Sequence, residues 1–248
     1  MLTVDENGIV VNHPKINLTG NNGKFNVRNS GIKNRPNMGK VNGIVVHQTG
    51  EGHEMPNLFN TAGNPKANFA HFLIDKEGNI YQTISLYRVA YHVGILKNRC
   101  ILEKKCTDVD IQKKVEEIDK TLSKDRIGVN KWGRESNYAN YHKAIESKKK
   151  WPERFVSNVD SIGIELHGKS WKVDGKADLE YEPITEAQKE SLEWLLRELR
   201  CSFHLGGKEI FRHPEISYKE RNEAISTKEV IENAKNYDLK DCKKTEDK

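Results

Sequence analysis

The sequence predicts an α/β protein in which helices flank a central mixed β-sheet, with an N-terminal arm and a largely helical insertion. Three observations support this class: short apolar runs of strand length, a pair of such runs joined by a turn, and one long amphipathic stretch. The 248 residues suit one large domain, or one domain with sizeable insertions. We assign an arm to 1–40, a main domain to 41–235 with an insertion at about 95–158, and a polar tail to 236–248.

The strands give the clearest local signal. Five runs have the length and apolar content of strands: 43–47, 69–74, 79–84, 161–166 and 209–213. The second and third runs flank Asp75-Lys76-Glu77-Gly78, a turn sequence typical of a β-hairpin. The arm shows only weak alternation around Gly8–Val11, so we expect an irregular segment wrapped on the domain.

One amphipathic helix is predicted after Thr185. Thr185 and Gln188 form a capping box, in which each side chain bonds to the backbone of the other. The buried face is a stripe of leucines: Leu192, Leu195, Leu196 and Leu199. The insertion is rich in Lys and Glu and has a weaker helical pattern near 109–118. Its aromatic residues would form a small core or stack on sugar rings: Trp132, Tyr138, Tyr141 and Trp151.

Charge and hydropathy exclude several classes of protein. Lys and Arg number 41 against 36 Asp and Glu, and a net charge of +5 is too small to argue for nucleic-acid binding. Mean hydropathy is −0.78 and no apolar run approaches the roughly 20 residues of a membrane helix, so no membrane insertion is expected. The first residues lack the pattern of a signal peptide. We therefore expect secretion or delivery to a periplasm without a classical signal peptide, with a cytoplasmic location as the alternative.

The four cysteines do not form the close doublets of a zinc site. An even number permits two disulfides in three connectivities, and four free thiols are the alternative. A bond between Cys201 and Cys242 would tie the tail to the long helix. We expect at least one disulfide to form after export.

Two histidines and one acid stand where chemistry is expected. His47 and His213 each end a predicted strand, and two such imidazoles can converge on a zinc ion, which needs three protein ligands in a catalytic site. A structural histidine is the alternative for each. Glu165 is an acid in an apolar strand, where burial costs several kcal/mol unless the carboxylate is paired or used. It suits a general base near a metal, unless its side chain faces solvent.

Five ordered motifs carry a resemblance to a known family. They are Ile44–His47, Ala70–Gln82, Val89–Gly94, Ser161–Leu166 and Arg212–Ile216. In this order they resemble the zinc-dependent N-acetylmuramoyl-L-alanine amidases of type 2, a superfamily with phage lysozyme-like amidases, anhydro-muropeptide amidases and peptidoglycan recognition proteins. The resemblance covers roughly 40–95 and 158–225 and leaves out the arm, the insertion and the tail.

The resemblance implies a set of zinc ligands. His47 and His213 match the two histidine ligands of the family. The third ligand lies ten residues after the second histidine and is usually Asp or Cys, whereas this chain has Glu223. Glu215 is a second candidate for that ligand. The implied cofactor is therefore Zn²⁺, held in a site that departs from the family at one position.

The resemblance also assigns roles around the metal. Glu165 matches the acid that activates water, and Arg221 stands where the family often has a lysine that stabilises the oxyanion. Arg and Lys differ in donor geometry, so this is a second departure. His71 matches a strand histidine near the metal, and His92 matches the edge of the groove. We expect both histidines near the substrate, with a structural role as the alternative for His71.

The implied function is hydrolysis of the amide that joins N-acetylmuramic acid to L-alanine in peptidoglycan. A non-catalytic muropeptide-binding module is the alternative, because relatives with an altered third ligand bind wall fragments without cutting them. A structural or interaction protein is a third hypothesis. A lysis enzyme, an interbacterial effector and a cytosolic recycling enzyme are all compatible settings. An effector would require an immunity or delivery protein as partner.

Overall fold

A computed structural model describes residues 1–11, 13–30, 35–50, 53–106, 113, 143–176 and 178–245. Most of the helix predicted at 109–118 lies outside the described residues, as do Trp132, Tyr138 and Tyr141. Within the described ranges, no helix has the length and apolar character that a membrane span requires.

Strands and helices are interspersed along the described part of the chain. The strands are β1 (Ile16–Asn17), β2 (Thr19–Gly20), β3 (Phe25–Asn26), β4 (Gly43–Gln48), β5 (Phe72–Ile74), β6 (Ile80–Gln82), β7 (Ser161–Leu166), β8 (Ser170–Trp171), β9 (Glu180–Tyr181) and β10 (Ile210–Arg212). The helices are α1 (Val27–Ser30), α2 (Met55–Gly63), α3 (Arg99–Leu102), α4 (Glu186–Phe203), α5 (His213–Ile216) and α6 (Lys228–Asn236). Short 3-10 turns lie at Gly207–Glu209, Ile225–Thr227 and Leu239–Thr245.

Six strands form the central sheet in the order β1-β6-β5-β7-β4-β10. β5 and β6 are the antiparallel hairpin predicted around Asp75–Gly78, and the other neighbouring pairs are parallel. The mixed sheet confirms the predicted α/β class. The sequence analysis did not predict β1. We expected the arm to be irregular, whereas β1 brings part of it into the sheet. Its two residues are too few to show an alternating pattern.

Alternation along the strands separates the two faces of the sheet. The even-numbered apolar residues of β4 and β7, among them Ile44 and Ile162, pack with the leucine stripe of α4 in one large cluster. The predicted capping box starts α4, where the Thr185 hydroxyl accepts the N–H of Gln188 at 3.1 Å. This apolar face fixes the sheet against α4 and leaves the odd-numbered residues on the other side.

The opposite face has two smaller apolar clusters. Leu73 of β5 packs with Leu58 and Phe59 of α2, whereas Val45 of β4 packs with Val93. Neither cluster includes the odd-numbered residues at the carboxyl ends of β4 and β7. In open α/β sheets this edge is where ligands bind.

Two disulfides join the four cysteines. Cys201 at the end of α4 pairs with Cys242 in the C-terminal 3-10 turn, and Cys100 pairs with Cys106 at the start of the insertion. The first pair ties the tail to the long helix, as we expected for these two residues. The buried guanidinium of Arg200 adds to this attachment by donating a hydrogen bond to the carbonyl of Tyr237 at 2.9 Å.

We expect the two disulfides to stabilise the fold unequally. Cys201 and Cys242 are separated by 41 residues, and Cys100 and Cys106 by 6. In the chain-entropy model, restricting the unfolded chain stabilises the folded state by about 4 kcal/mol for the longer loop and about 2 kcal/mol for the shorter one. The free energy of unfolding, measured by urea titration of metal-free protein, should therefore fall more in the double variant C201S/C242S than in the control C100S/C106S. The reverse order would contradict this account.

Candidate active site

His47 and His213 meet because their strands are neighbours. β4 and β10 are parallel, with Val46 beside Arg212, so the next residue of each chain segment is a histidine. The two ring centroids are 4.2 Å apart, and both side chains are buried. The parallel pairing alone therefore produces the predicted convergence of the two imidazoles.

Glu223 completes a group of three possible ligands. Its Oε1 lies 3.0 Å from Nδ1 of His213 and 3.4 Å from Nδ1 of His47. The three ligand atoms all lie within 4.8 Å of one another. Glu215, the second candidate, is used elsewhere: its carboxylate accepts the backbone N–H of Arg212 at 2.9 Å and the Nε–H at 3.2 Å.

Hydrogen bonds determine which nitrogen of His47 is free. Nε2 of His92 lies 3.4 Å from the carbonyl oxygen of Ser161, which only accepts, so Nε2 carries the proton. Nδ1 of His92 then accepts from Nε2–H of His47 at 3.0 Å. The lone pair on Nδ1 of His47 consequently points toward Glu223. Gly163 leaves room for this arrangement, since a Cβ there would lie 2.8 Å from the His92 ring.

His213 is oriented in the same way. Its Nε2–H donates to the carbonyl of Val93 at 2.7 Å, so Nδ1 is the nitrogen that faces Oε1 of Glu223, 3.0 Å away. Burial and the neighbouring His213 lower the pKa of His47 to about 4, so its ring is neutral at pH 7. Burial raises the pKa of Glu223, but His213 and His47 outweigh it and hold the pKa well below its usual range.

This donor set fits a divalent metal. The Nδ1 atoms of two imidazoles and an ionised carboxylate oxygen face one point, with each imidazole held through its other nitrogen. Zinc in catalytic sites takes such nitrogen and oxygen ligands, and hydrogen bonds to the far nitrogen commonly orient ligating histidines. A glutamate is longer than the aspartate usual at this position, and the structure nevertheless brings its oxygen to both histidines.

Glu165 lies beside His47 on the next strand. The two residues are register partners in β7 and β4, so both side chains project from the same face. Burial raises the pKa of Glu165 well above its ordinary value, and the negative charge of Glu223 raises it further. A carboxyl group whose pKa is raised in this way holds a proton more readily than a free glutamate, which suits a group that both accepts and releases a proton.

A cavity of about 250 Å³ contains these groups. Its lining includes His47, His92, Glu165, Tyr181, His213, Lys219 and Glu223. The predicted ligands and the predicted acid therefore share one cavity at the carboxyl ends of the strands.

His71 does not reach this cavity. Its side chain is fully buried, Nδ1 accepts the backbone N–H of Gly163 at 3.0 Å, and Nε2–H donates to the carbonyl of Arg88 at 3.0 Å. Both ring nitrogens thus bond to the main chain, at Gly163 and Arg88. The expectation that His71 lies near the substrate is therefore corrected. His92 does border the cavity, but its Nδ1 accepts from His47 and its Nε2–H donates to Ser161.

Arg221 is also absent from the lining. Its side chain is exposed, and its carbonyl accepts from Arg212 at 3.3 Å. Lys219 borders the cavity in its place. Counting back from Glu223 selected Arg221, whereas the tight turn from Glu220 to Glu223 decides which side chain faces inward.

Tyr181 is a second lining residue that the sequence analysis missed. It lies on β9, a strand of two residues that has no periodic pattern to detect. No property of the sequence around it predicts that it faces Glu165.

Removing the His92 ring should weaken metal binding. The variant His92→Ala deletes the acceptor for Nε2–H of His47, so the ligand loses its fixed tautomer and orientation. We expect the zinc Kd to rise roughly 10–100-fold, measured by competition with a chromophoric chelator. His204→Asn is the matched control, because His204 is an exposed histidine in the left-handed conformation (φ 53°), which Asn tolerates. Equal zinc affinity in both variants would refute the orienting role.

Comparisons with solved structures find distant likenesses. The amidase LysC from Clostridium intestinale URNW is 15% identical, with a TM-score of 0.41, over 78% of this chain and 85% of that chain. The catalytic domain of XlyA is 16% identical, with a TM-score of 0.44, over 82% and 92%. AmpDh3 from Pseudomonas aeruginosa is 15% identical, with a TM-score of 0.47, over 94% and 66%.

The sequence comparison is more direct. No curated protein matches the chain. A family model described as N-acetylmuramoyl-L-alanine amidase matches residues 37–228. This range includes β4, β7 and β10 and every residue assigned to the cavity. The chain belongs to the N-acetylmuramoyl-L-alanine amidase family.

Proposed function

We propose that the chain is a zinc-dependent enzyme that hydrolyses the amide between N-acetylmuramic acid and L-alanine of peptidoglycan. The observation that carries the proposal is the convergence of two imidazole Nδ1 atoms and a carboxylate beside Glu165 in one cavity. His47, His213 and Glu223 would hold the ion. When bound, zinc supplies Lewis-acid polarisation of a carbonyl and lowers the pKa of water.

Glu165 moves the proton in this reaction. As the water oxygen bonds to the carbonyl carbon, a carboxylate oxygen of Glu165 accepts the proton that the water loses. The C–N bond then breaks, and Glu165 gives this proton to the leaving nitrogen of L-alanine. The raised pKa of Glu165 suits both halves of the transfer, because the group must gain and lose a proton in one turnover.

Lys219 supplies positive charge for the tetrahedral intermediate. It borders the cavity, and its ammonium group interacts electrostatically with both Glu165 and His47. Lys219 is exposed at the mouth of the cavity, and a positive charge beside a developing oxyanion is often a large contribution to catalysis. We assign to Lys219 the role that the sequence analysis gave to Arg221.

Mass spectrometry of products from purified sacculi tests the reaction. We expect wild-type protein to release stem peptides beginning with L-alanine, to lose this activity on chelation and to regain it with zinc. Glu165→Gln should reduce release at least 10²-fold, because the amide cannot accept the proton. Glu215→Gln is the control, since Glu215 contacts Arg212 rather than the cavity.

The pH profile of the same reaction reports on Glu165. The carboxylate must be ionised to accept a proton, so kcat/KM should fall as pH drops through its raised pKa, well above 4.5. Intact wall at every pH, with protein bound to it, would instead support the non-catalytic binding module.

A pair of matched substitutions tests whether Lys219 or Arg221 stabilises the oxyanion. Lys219→Met should lower kcat about 10²–10³-fold, the usual cost of removing one oxyanion-stabilising group. Arg221→Met should leave kcat near the wild-type value, because Arg221 lies outside the cavity lining. A loss in Arg221→Met with normal activity in Lys219→Met would restore the assignment made from the sequence.

We also propose an oxidising site of action, as for a lysis enzyme or an effector delivered to a periplasm. Support comes from the two disulfides, since such bonds persist outside reducing compartments. An immunity or delivery protein belongs to the effector version of this proposal. Rapid thiol labelling of protein recovered from its site of action distinguishes four blocked cysteines from the four free thiols of a cytoplasmic recycling enzyme.

A further inference from the structure

Many of the hydrogen-bond donors that line the cavity are already used within the protein. Three of the four lining histidines donate within the protein: His47 to His92, His92 to Ser161, and His213 to Val93. Three other lining side chains also donate to carbonyl groups of the protein: Gln48 to Glu182, Thr49 to Gly168 and Thr61 to Asn57. A substrate oxyanion therefore needs donors from the rest of the lining.

Lys219 and Tyr181 are the described lining donors that interact electrostatically with Glu165. Tyr181 interacts electrostatically with Glu223 as well, and it lines the same cavity as both carboxylates. No residue in the described part of the chain forms a hydrogen bond with its hydroxyl. Burial and these carboxylates raise the pKa of Tyr181, so the phenol keeps its proton at neutral pH.

The strand that carries Tyr181 is fixed on both sides of the residue. The next residue, Glu182, accepts the side-chain amide of Gln48 at 2.7 Å and forms an ion pair with Lys76 at 2.6 Å. On the other side, the carbonyl of Leu179 accepts the side-chain amide of Asn222 at 2.9 Å. Gln48 and Asn222 adjoin His47 and Glu223, so the attachments hold Tyr181 relative to the candidate ligands themselves.

We propose that Tyr181 is a catalytic residue whose hydroxyl donates a hydrogen bond to the oxyanion of the tetrahedral intermediate, in addition to the charge supplied by the Lys219 ammonium. This inference rests on the proposed amidase function. A neutral phenol suits a cavity that already contains two carboxylates, because it stabilises negative charge without forming an ion pair with Glu165. The proton stays on the phenol throughout, and Glu165 alone carries the transferred proton.

The test compares Tyr181→Phe with Tyr181→Ala on sacculi, with Tyr87→Phe as a control for loss of a hydroxyl outside the cavity lining. Tyr87 is 42% exposed. We expect Phe and Ala to lower kcat alike, by about 10²-fold, with little change in KM. Zinc content should equal that of the wild type. Binding of a soluble muropeptide to metal-free Tyr181→Phe should also be unchanged.

Each other outcome overturns the proposal. Normal kcat in Tyr181→Phe with a loss in Tyr181→Ala would mean that the ring only packs in the cavity wall. Weaker muropeptide binding in Tyr181→Phe would mean that the hydroxyl binds the ground state. Failure of wild-type protein to release stem peptides would remove the proposed function, and this inference with it; normal wild-type release beside a normal Tyr181→Phe would remove the inference alone.

Discussion

The parallel pairing of β4 with β7 on one side and β10 on the other sets the position of every reactive group in the cavity. This pairing places Glu165 beside His47 and brings His213 to the same edge. The leucine stripe of α4 holds the register, because a slip by one residue would turn the apolar side chains of these strands toward the cavity. Packing on one face of the sheet therefore determines the chemistry on the other.

Buried polar groups turn this placement into a defined donor set. The bonds from His47 to His92 and on to Ser161, and from His213 to Val93, hold Nδ1 of both imidazoles toward Glu223. Each unpaired N–H group would cost free energy at a buried position, so the pairing of these histidine N–H groups favours one arrangement of their protons. Burial also raises the pKa of Glu165. Burial therefore affects both the protons of the candidate ligands and the pKa of the acid.

Local patterns predicted the elements that carry most of the site. Strand-length apolar runs identified β4 and β7, and a capping box with a leucine stripe identified α4. Motif order identified His47, His213, Glu165 and Glu223. Lys219 and Tyr181 escaped because they belong to a loop and a two-residue strand, whose direction depends on distant contacts such as that of Asn222 with Leu179. His71 was misplaced because its two main-chain partners come from separate segments.

X-ray absorption spectroscopy of the zinc-loaded protein tests the central claim most directly. The account predicts one zinc per chain, with two imidazole nitrogens at about 2.0–2.1 Å and oxygen ligands that include a carboxylate. The spectrum should lose one imidazole in His213→Ala and the carboxylate in Glu223→Ala, with no sulfur at any stage. Failure to retain zinc, or a spectrum unchanged by both substitutions, would contradict the assignment of this cavity as the metal centre.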